Sequence, residues 1–385
     1  MERIPCLLVG DGPQEPTGLG RIARDLGVLI GARNLPLDLV SVGGAVPPCW
    51  TAWPHVPMGV AERGDDWGAK FVAAIWKDRF GEQPGVLFLV WDPARLYAYC
   101  DIDVPAKKWC YTAVDSHNRL GGLSGPPAVP LQTFDRVLAY TRWGAQIIKS
   151  VRGEDVSYLP HGLWPADYSE ASDTEREWVT SRLGPYINRD DTLIGCVATN
   201  QPRKDLALFF ETLAVLAARG RKVYGWLHTD LLVNAWSITQ LVEDCGLQKR
   251  VTVTLGTMND RQLACFYQRC DLTIAPGLGE GFGYPIVESL AAGVPVIHGD
   301  FGGGSELVPK VEWRVPMREY RTESVYALRR PVFRIEDVAN AAERALTWRD
   351  EVGRETAAAY CRGSVAHLDW EALGDRWVSW IRSGL

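Results

Sequence analysis

Short apolar runs of strand length alternate with segments of helical periodicity along most of the chain. The strand-like runs form two series, which cover residues 4–10, 85–91, 108–114, 136–140 and 156–160, and then 192–198, 222–228, 251–256, 271–276 and 294–299. The helical segments include residues 20–33, 143–151, 206–220 and 260–270. This alternation is typical of βαβ units with parallel sheets. The sequence therefore predicts an α/β fold with two Rossmann-like domains.

The domain boundary is predicted in a polar stretch, HGLWPADYSEASDTEREW, that shows no strand pattern. A chain of 385 residues exceeds the usual size of a single core. We expect an N-terminal domain over residues 1–163 and a C-terminal domain over residues 164–364. Residues 365–385 carry tryptophans at helical spacing and are predicted to form an amphipathic helix that returns to the N-terminal domain. Two parallel sheets that face a cleft would bind ligands at the carboxyl ends of their strands.

Composition and charge exclude several classes of protein. The net charge of −6 argues against an obligate nucleic-acid-binding protein, which would carry a basic excess. No apolar run approaches the roughly 20 residues of a membrane span, and the first apolar run is interpreted as a strand rather than a signal peptide. The nine cysteines include no CxxC pair, and no His/Cys cluster has zinc spacing. We expect a cytoplasmic protein with free thiols and no bound metal.

A glycine-containing loop, GDGPQEPTGLGRIARDL, follows the first predicted strand and leads into a helix. Gly18 and Gly20 would let the backbone approach a phosphate at the helix N-terminus, although a plain turn is the alternative. GLGRIA also matches the GxGxxA fingerprint of nicotinamide-dependent enzymes, with Asp38 near the spacing of the ribose-binding acid. However, about seven residues separate the strand from Gly18, which is longer than the tight Rossmann turn.

A pair of cations follows the first strand of the second series. Arg203 and Lys204 stand at the start of a predicted helix, where the positive end of the helix dipole makes cations unfavourable. An anion bound at this point would remove the conflict. The alternative interpretation is a solvated pair of charges.

Two carboxylates flank the start of another predicted helix, in the stretch EGFGYPIVESLAAGVPVI. Glu280 lies in the loop that follows a buried strand, and Glu288 lies in the first turn of the helix. The glycines of the loop free backbone N–H groups, and the helix N-terminus points at the same place. Carboxylates about one helix turn apart suit two separate sets of hydroxyl groups on one extended ligand. Glu288 could instead be a solvent-facing residue that the helix dipole favours.

The spacing of Glu280 and Glu288, followed by GGGSEL, resembles the donor-site signature of retaining family 4 glycosyltransferases of the GT-B fold. The resemblance extends over most of the chain through TGLGR, YLPHGL, RKDL and LACFYQRCDLTIAP, in the order expected for the family. It implies transfer of a hexose-type sugar from a UDP- or GDP-sugar to a hydroxyl acceptor, with retention of anomeric configuration and without a cofactor or a metal.

The resemblance also implies which residues bind the sugar and the ribose of the donor. Glu280 would hold the hydroxyl groups of the transferred sugar, together with the backbone amides of Phe282, Gly283 and Tyr284. Glu288 would bind the ribose of the nucleotide.

The diphosphate and the acceptor are assigned by the same resemblance. Arg203 and Lys204 would neutralise the diphosphate, and the loop of Gly18 and Gly20 would approach the diphosphate and the acceptor. Cations and helix N-termini at the leaving phosphate stabilise the negative charge that develops there.

The chain departs from the family at the catalytic loop, where it reads YTAVDSHN in place of the usual histidine. Either Asp115 or His117 is expected to take that role, and either could instead be an ordinary loop residue. His161, in PHGL, is interpreted as shaping the crossover between the domains rather than as a catalytic group.

The acceptor is expected to be a carbohydrate or another small hydroxyl compound, because the N-terminal domain has nearly balanced charge and no strongly basic helix for an anionic membrane surface. Hydroxylated bases of DNA are a second possibility, with Lys107 and Lys108 as a local basic patch. The alternatives from other classes are an NAD-dependent oxidoreductase and a nucleotide-sugar-binding protein without activity. The oligomeric state is left open.

Overall fold

The chain folds into two compact units. The computed structural model describes residues 3–44, 52–58, 65–188 and 190–385. Unit 1 comprises the described residues up to Gly162 together with Glu323–Leu328 and Trp370–Leu385, and unit 2 comprises Leu163–Thr322 and Arg329–Asp369. Within these described ranges, no helix is both long enough and apolar enough to cross a membrane.

Unit 1 is built on a parallel sheet. Its strands are β1 (Ile4–Gly10), β2 (Leu37–Val42), β3 (His55–Val56), β4 (Gly85–Val90), β5 (Ala106–Thr112), β6 (Arg136–Ala139) and β7 (Ser157–Tyr158). Among the described residues they form one seven-stranded sheet in the order β3-β2-β1-β4-β5-β6-β7. β4 is buried throughout and β1 nearly so, as expected for a parallel sheet covered on both faces. The carboxyl ends of β1, β4 and β5 therefore lie side by side at one edge.

Helices connect most of the strands of unit 1, and several of them begin at a side-chain cap. They are α1 (Gly18–Ala32), α2 (Ala69–Phe80), α3 (Pro93–Leu96), α4 (Val129–Thr133) and α5 (Arg142–Arg152). At the start of α5 the Thr141 side chain accepts a hydrogen bond from the Gly144 N–H, and at its end Gly153 takes a left-handed backbone with φ 82. A hydroxyl N-cap and a glycine after the last turn are the usual helix boundaries.

Unit 2 repeats this architecture. Its main sheet contains β8 (Thr192–Val197), β9 (Val223–Thr229), β10 (Val251–Leu255), β11 (Leu272–Ala275), β12 (Val296–Gly299) and β13 (Arg314–Val315). In the part of the chain that the structure describes, the order is β10-β9-β8-β11-β12-β13. A second, two-stranded sheet pairs β14 (Glu319–Glu323) with β15 (Leu328–Val332). The helices are α6 (Asp173–Ser181), α7 (Leu206–Ala218), α8 (Ile238–Asp244), α9 (Asp260–Arg269), α10 (Tyr284–Ala291), α11 (Ile335–Val352) and α12 (Arg354–Val365).

The C-terminal helix α13 (Trp370–Arg382) belongs to unit 1, which confirms the predicted return to the N-terminal domain. Trp370 and Trp377 are fully buried, and the Trp370 indole N–H donates to Asp25 over 3.0 Å. The returning segment begins at Trp370 rather than at the predicted residue 365, because residues 365–369 pack within unit 2. Buried tryptophans at helical spacing therefore fix this helix to unit 1.

Candidate active site

The stretch with two glutamates forms one βαβ unit at the carboxyl edge of the unit 2 sheet. β11 ends at Ala275, α10 begins at Tyr284, and β12 lies parallel beside β11. Gly283 precedes the helix with a left-handed backbone (φ 106), and a Cβ there would lie 2.9 Å from Ile286 Cδ1. Glycine is therefore required at this position. The first N–H groups of α10 open on the loop that carries Glu280.

Glu280 forms ion pairs with both predicted phosphate-binding cations. Lys204 Nζ lies 2.6 Å from Glu280 Oε1, and Arg203 Nη1 lies 3.4 Å from Glu280 Oε2. Glu280 and Lys204 are only 8% and 9% exposed. Burial alone would raise the pKa of Glu280, but the charges of Lys204 and Arg203 outweigh burial and lower the pKa to about 2. The Glu280 side chain is therefore a carboxylate at neutral pH.

The two cations lie in a short 3-10 turn, Pro202–Lys204, which follows β8. α7 begins only at Leu206, after Asp205, whose backbone is left-handed with φ 41. The sequence indicated an anionic partner for Arg203 and Lys204, and the partner in this structure is a carboxylate of the chain itself. The alternative of a solvated charge pair is wrong, because Lys204 is buried.

The remaining loop residues of the predicted sugar site lie between β11 and α10. Phe282 is 4% exposed, and its ring contacts that of Tyr284 edge-on at 5.6 Å between centroids. Tyr284 is the first residue of α10. This aromatic contact links the loop to the first residue of the helix.

His298, in β12, is a residue of this cluster that the sequence analysis missed. Its ring is 1% exposed, and its Nδ1–H donates to the Ala275 carbonyl over 2.7 Å. Nε2 is then an acceptor, for which the described residues supply no hydrogen-bond donor. A Cβ on Gly304 would lie 2.8 Å from His298 Nε2 and 3.1 Å from Glu280 Cβ, so the imidazole lies next to Glu280. Burial lowers the pKa of His298, which makes the ring neutral at neutral pH.

Glu288 is buried on the inner side of α10. It is 4% exposed, and the Tyr267 hydroxyl donates to its Oε2 over 2.9 Å. Burial and then the charge of Glu288 raise the pKa of Tyr267 well above its usual value. The solvent-facing alternative for Glu288 is therefore wrong. Because α10 begins at Tyr284, Glu288 lies in the second helical turn rather than in the first.

In unit 1, Gly18 and Gly20 lie inside the first turn of α1 rather than in a loop before it. The Gly20 N–H donates to the Thr17 hydroxyl over 3.0 Å, so helix capping already uses this amide. A Cβ on Gly20 would lie 2.5 Å from the Glu15 carbonyl oxygen. Close packing of the backbone thus explains Gly20, and its amide is not available to a phosphate while the cap is formed.

Asp115 and His117 both follow β5, next to the ends of β1 and β4. Both are partly buried. The His117 ring lies 6.0 Å from the Trp143 ring, and His117 Nδ1 is 2.7 Å from the Asn118 carbonyl oxygen. The structure places both candidates for the catalytic-loop role at the carboxyl edge of the unit 1 sheet.

His161 has the surroundings of a packing residue. It is 1% exposed, and its Nδ1–H donates over 2.7 Å to the Tyr111 hydroxyl, which in turn donates to the Leu159 carbonyl. Burial and then the charge of Arg21 lower the pKa of His161 well below its usual value. A neutral, buried ring agrees with the structural interpretation of this residue.

The structure also places the residues behind two alternatives, Asp38 for an NAD-dependent oxidoreductase and Lys107 with Lys108 for a DNA acceptor. Asp38 is the second residue of β2 and is exposed at the amino end of that strand, away from the edge where a dinucleotide ribose would bind. Lys107 and Lys108 lie at the amino end of β5. Their Nζ atoms donate to the carbonyls of Gly384 and Cys100 over 3.1 and 2.5 Å, which holds both side chains against the protein without removing their charge.

Residues 185–312 match the family model of group 1 glycosyl transferases. This segment contains the cluster of Glu280, Lys204 and Arg203 as well as Glu288. This part of unit 2 is therefore similar to group 1 glycosyl transferases.

The curated relatives include D-inositol 3-phosphate glycosyltransferases. That of Gordonia bronchialis is 28% identical over 256 residues, which are 64% of this chain and 51% of the relative. That of Mycolicibacterium smegmatis is 27% identical over 175 residues, which are 44% of this chain and 38% of the relative. The chain thus spans about half the length, or less, of these relatives.

Solved structures match the chain over nearly its whole length. HepE of Anabaena, solved with UDP and glucose, has a TM-score of 0.73 at 15% identity and covers 99% of this chain and 100% of its own. Sucrose-phosphate synthase of Thermosynechococcus elongatus has a TM-score of 0.73 at 17% identity, with 99% of each chain covered. WaaG, a glycosyltransferase involved in lipopolysaccharide biosynthesis, has a TM-score of 0.72 at 15% identity, with 97% of this chain and 98% of its own covered. The fold is GT-B.

Proposed function

We propose that this chain is a retaining glycosyltransferase that moves a hexose-type sugar from a nucleoside diphosphate sugar to a hydroxyl acceptor. The observation that carries the proposal is the buried ion cluster of Glu280 with Lys204 and Arg203 at the start of α10. A carboxylate accepts hydrogen bonds from sugar hydroxyls, and the two cations donate to phosphate oxygens. One cluster thus supplies both kinds of group that such a donor needs.

Donor binding exchanges one set of charge pairs for another. Without a ligand, Glu280 pairs with both Lys204 and Arg203, and its single negative charge compensates one of their two positive charges. A diphosphate at the N-terminus of α10 would take over the two cations through charge-assisted hydrogen bonds. The Glu280 oxygens would then accept from the hydroxyls of the transferred sugar. After the exchange the cations are paired with phosphate and the Glu280 carboxylate is hydrogen-bonded to hydroxyls, so no buried charge is left without a polar partner.

The same groups would stabilise the transition state. Positive charge develops on the sugar ring while negative charge grows on the departing phosphate. Lys204, Arg203 and the first N–H groups of α10 are preorganised around the point where that negative charge would form. No group of three or more His, Cys, Asp or Glu side chains in the described ranges is placed to hold a metal ion. We propose that Lys204 and Arg203 stabilise the charge on the departing phosphate without a metal.

Glu288 is assigned to the ribose of the nucleotide. The Tyr267 hydroxyl, 2.9 Å from Oε2, orients the carboxylate from within the core. A carboxylate held in this way accepts the two adjacent hydroxyls of a ribose with little loss of side-chain entropy. We favour UDP as the nucleotide because HepE, which shares the fold, was solved with UDP.

The acceptor is proposed to be a small carbohydrate or cyclic polyol, and the proposed compartment is the cytoplasm. Relatives of the chain are named for the glycosylation of an inositol phosphate, which supports a hydroxyl acceptor of this size. Asp115 or His117, in unit 1, is proposed for the catalytic-loop role. Retention rests on the family resemblance, in which the leaving phosphate takes the proton of the acceptor on the front face of the sugar.

A donor panel tests the proposal. The chain is incubated with UDP-glucose, UDP-N-acetylglucosamine, GDP-mannose and NADH, and release of the nucleoside diphosphate is followed with and without sugar acceptors. We expect one nucleotide sugar to be consumed, also in the presence of EDTA, and the product to keep the anomeric configuration of the donor in proton NMR. Consumption of NADH, loss of activity in EDTA with recovery in magnesium, or an inverted product would each contradict the corresponding part of the proposal.

A further inference from the structure

Trp67 is a tryptophan that the fold holds at the surface of unit 1 in an unfavourable backbone conformation. It is 47% exposed, and its backbone is left-handed with φ 65 and ψ 13. Bulky residues rarely adopt this conformation, because it strains the backbone. An exposed indole also forgoes the free energy of burial. Neither feature contributes to the stability of the fold, so their combination points to a ligand.

Several contacts fix the backbone on both sides of Trp67. The buried Tyr99 hydroxyl donates to the Trp67 carbonyl over 2.6 Å. Gly68 is also left-handed, with φ 72, and a Cβ there would lie 2.3 Å from Met58 Sδ. The Asp65 carboxylate accepts the N–H groups of residues 70 and 71 at the start of α2. The strained residue is thus clamped between the core and a helix start.

The indole ring is oriented by side chains at the ligand-binding edge of the unit 1 sheet. The Arg95 guanidinium lies over the Trp67 ring, 4.6 Å from its centroid. Arg95 is itself held by Asp11 at 3.3 Å and by Asp92 at 3.2 Å, and these residues follow β1 and β4. Trp91 contacts the Trp67 ring edge-on at 6.5 Å between centroids. The exposed ring therefore belongs to the same edge as Asp115 and His117.

We propose that the exposed part of the Trp67 ring, which Arg95 does not cover, is the stacking platform for a pyranose ring of the acceptor, with Asp92 and Arg95 as polar partners of the ring hydroxyls. This inference rests on the proposed function and adds the chemical class of the acceptor. The face of an indole is electron-rich and attracts the positively polarised C–H groups on one face of a sugar. Carboxylate and guanidinium groups beside it accept from and donate to the hydroxyls.

The charges at this edge favour a neutral sugar over an anionic ligand. The guanidinium of Arg95 is shared between two carboxylates, so the cluster of Asp11, Asp92 and Arg95 carries a net negative charge. A phosphate or a nucleic acid would be repelled by this cluster. A polyhydroxylated ring is not repelled, and it fills both the apolar and the polar part of the surface.

Two variants separate a ligand role from a structural one. Trp67→Asn removes the ring but places a side chain that tolerates the left-handed conformation, so we expect a melting temperature equal to or above that of the wild type. Trp67→Phe keeps a smaller ring. The matched control is Trp178→Ala in unit 2, since Trp178 also carries an arginine, Arg182, 4.9 Å from its ring centroid.

Binding is measured by fluorine NMR on the full chain labelled with fluorotryptophan, titrated with maltose and, separately, with glycerol. We expect the Trp67 signal, identified by its absence in Trp67→Phe, to shift saturably with maltose and not with glycerol. Binding of maltose should weaken at least tenfold in Trp67→Asn and stay unchanged in Trp178→Ala. An unshifted Trp67 signal, or an equal shift at Trp178, would overturn the assignment of the platform.

Donor chemistry in the same samples distinguishes this inference from the proposed function. We expect Trp67→Asn to bind UDP and to hydrolyse the donor sugar within twofold of the wild type, because the nucleotide residues are in unit 2. Loss of UDP binding in this variant would contradict an acceptor role. A wild-type chain that binds maltose at Trp67 but consumes no donor would support the sugar platform and overturn the proposed transfer reaction.

Discussion

Lys204 Nζ lies 2.6 Å from Glu280 Oε1, and both side chains are about nine-tenths buried. In the proposed function, Lys204 binds the phosphate of the donor and Glu280 binds its sugar. In the ligand-free chain each compensates the charge of the other. The pair therefore couples the stability of unit 2 to the state of the donor site.

The first prediction concerns removal of both cations. Arg203→Ala with Lys204→Ala leaves Glu280 buried and unpaired, and we expect this to lower stability at neutral pH by about 3 kcal/mol. The helix dipole alone would favour the reverse, a slight gain in stability from removing two cations at a helix start. Melting temperatures against those of Lys222→Ala, at an exposed lysine, decide between the two expectations. A double variant as stable as this control would contradict the buried ion cluster.

The pH dependence of that deficit follows from the pKa of Glu280. In the wild type the folded pKa is about 2 against a usual value of 4.5, so the pairs contribute stability above pH 4.5 that is lost as the pH falls toward 2. In the double variant the two cations are gone, and burial raises the pKa of Glu280. The loss of stability relative to the wild type should therefore become smaller at acid pH. Adding Glu280→Gln to the double variant should restore the melting temperature but not the transfer activity.

The second prediction concerns the ribose site. Glu288→Ala should weaken binding of free UDP at least tenfold, because the contact to the ribose is shared by donor and product. Tyr267→Phe removes only the hydroxyl that orients the carboxylate, so we expect a smaller loss of affinity with an unchanged preference among donors. Calorimetry with UDP measures both. Unchanged UDP affinity in Glu288→Ala would mean that Glu288 serves the core alone.

The third prediction concerns Asp205, between the cations and α7. Burial raises the pKa of Asp205 from 3.8 to about 6, so its folded form holds a proton more tightly than its unfolded form. The associated stability is present below pH 3.8 and is lost as the pH rises through about 6. Asp205→Asn cannot ionise and should become more stable than the wild type by roughly 1–3 kcal/mol between these limits. Asp190→Asn, at an exposed position, is the control for the loss of a surface carboxylate.

The alternation of strand and helix patterns was sufficient to predict the two parallel sheets and the returning C-terminal helix. It was not sufficient to predict the ion cluster, because Arg203 and Glu280 follow different strands. β8 and β11 are neighbours in the sheet, and this adjacency brings the residues after them together. The order of strands depends on how whole helices pack on the sheet, which no local pattern in the sequence records.

The role of an individual residue could be predicted from the sequence only where its side chain is unusual for the predicted element in which it lies. His298 was predictable in this way, because a polar histidine is unusual within a buried strand such as β12. Trp67 was not, since its left-handed conformation depends on Tyr99 and Gly68 in the folded chain. Gly20 was assigned to a ligand although close contact with the Glu15 carbonyl already requires a glycine. Glycine-rich patterns thus predict the position of a loop better than its function.

The most direct test of the account is the turnover of Glu280→Ala with the donor identified in the panel, measured beside its affinity for the free nucleoside diphosphate. The variant loses the proposed contact to the sugar but keeps Lys204 and Arg203 for the phosphates. We predict a turnover at least about 100-fold lower, roughly 2.7 kcal/mol of transition-state stabilisation, with equal or tighter binding of the diphosphate. The control Glu319→Ala, at an exposed position in β14, should behave as the wild type. Near-normal turnover in Glu280→Ala would contradict the account.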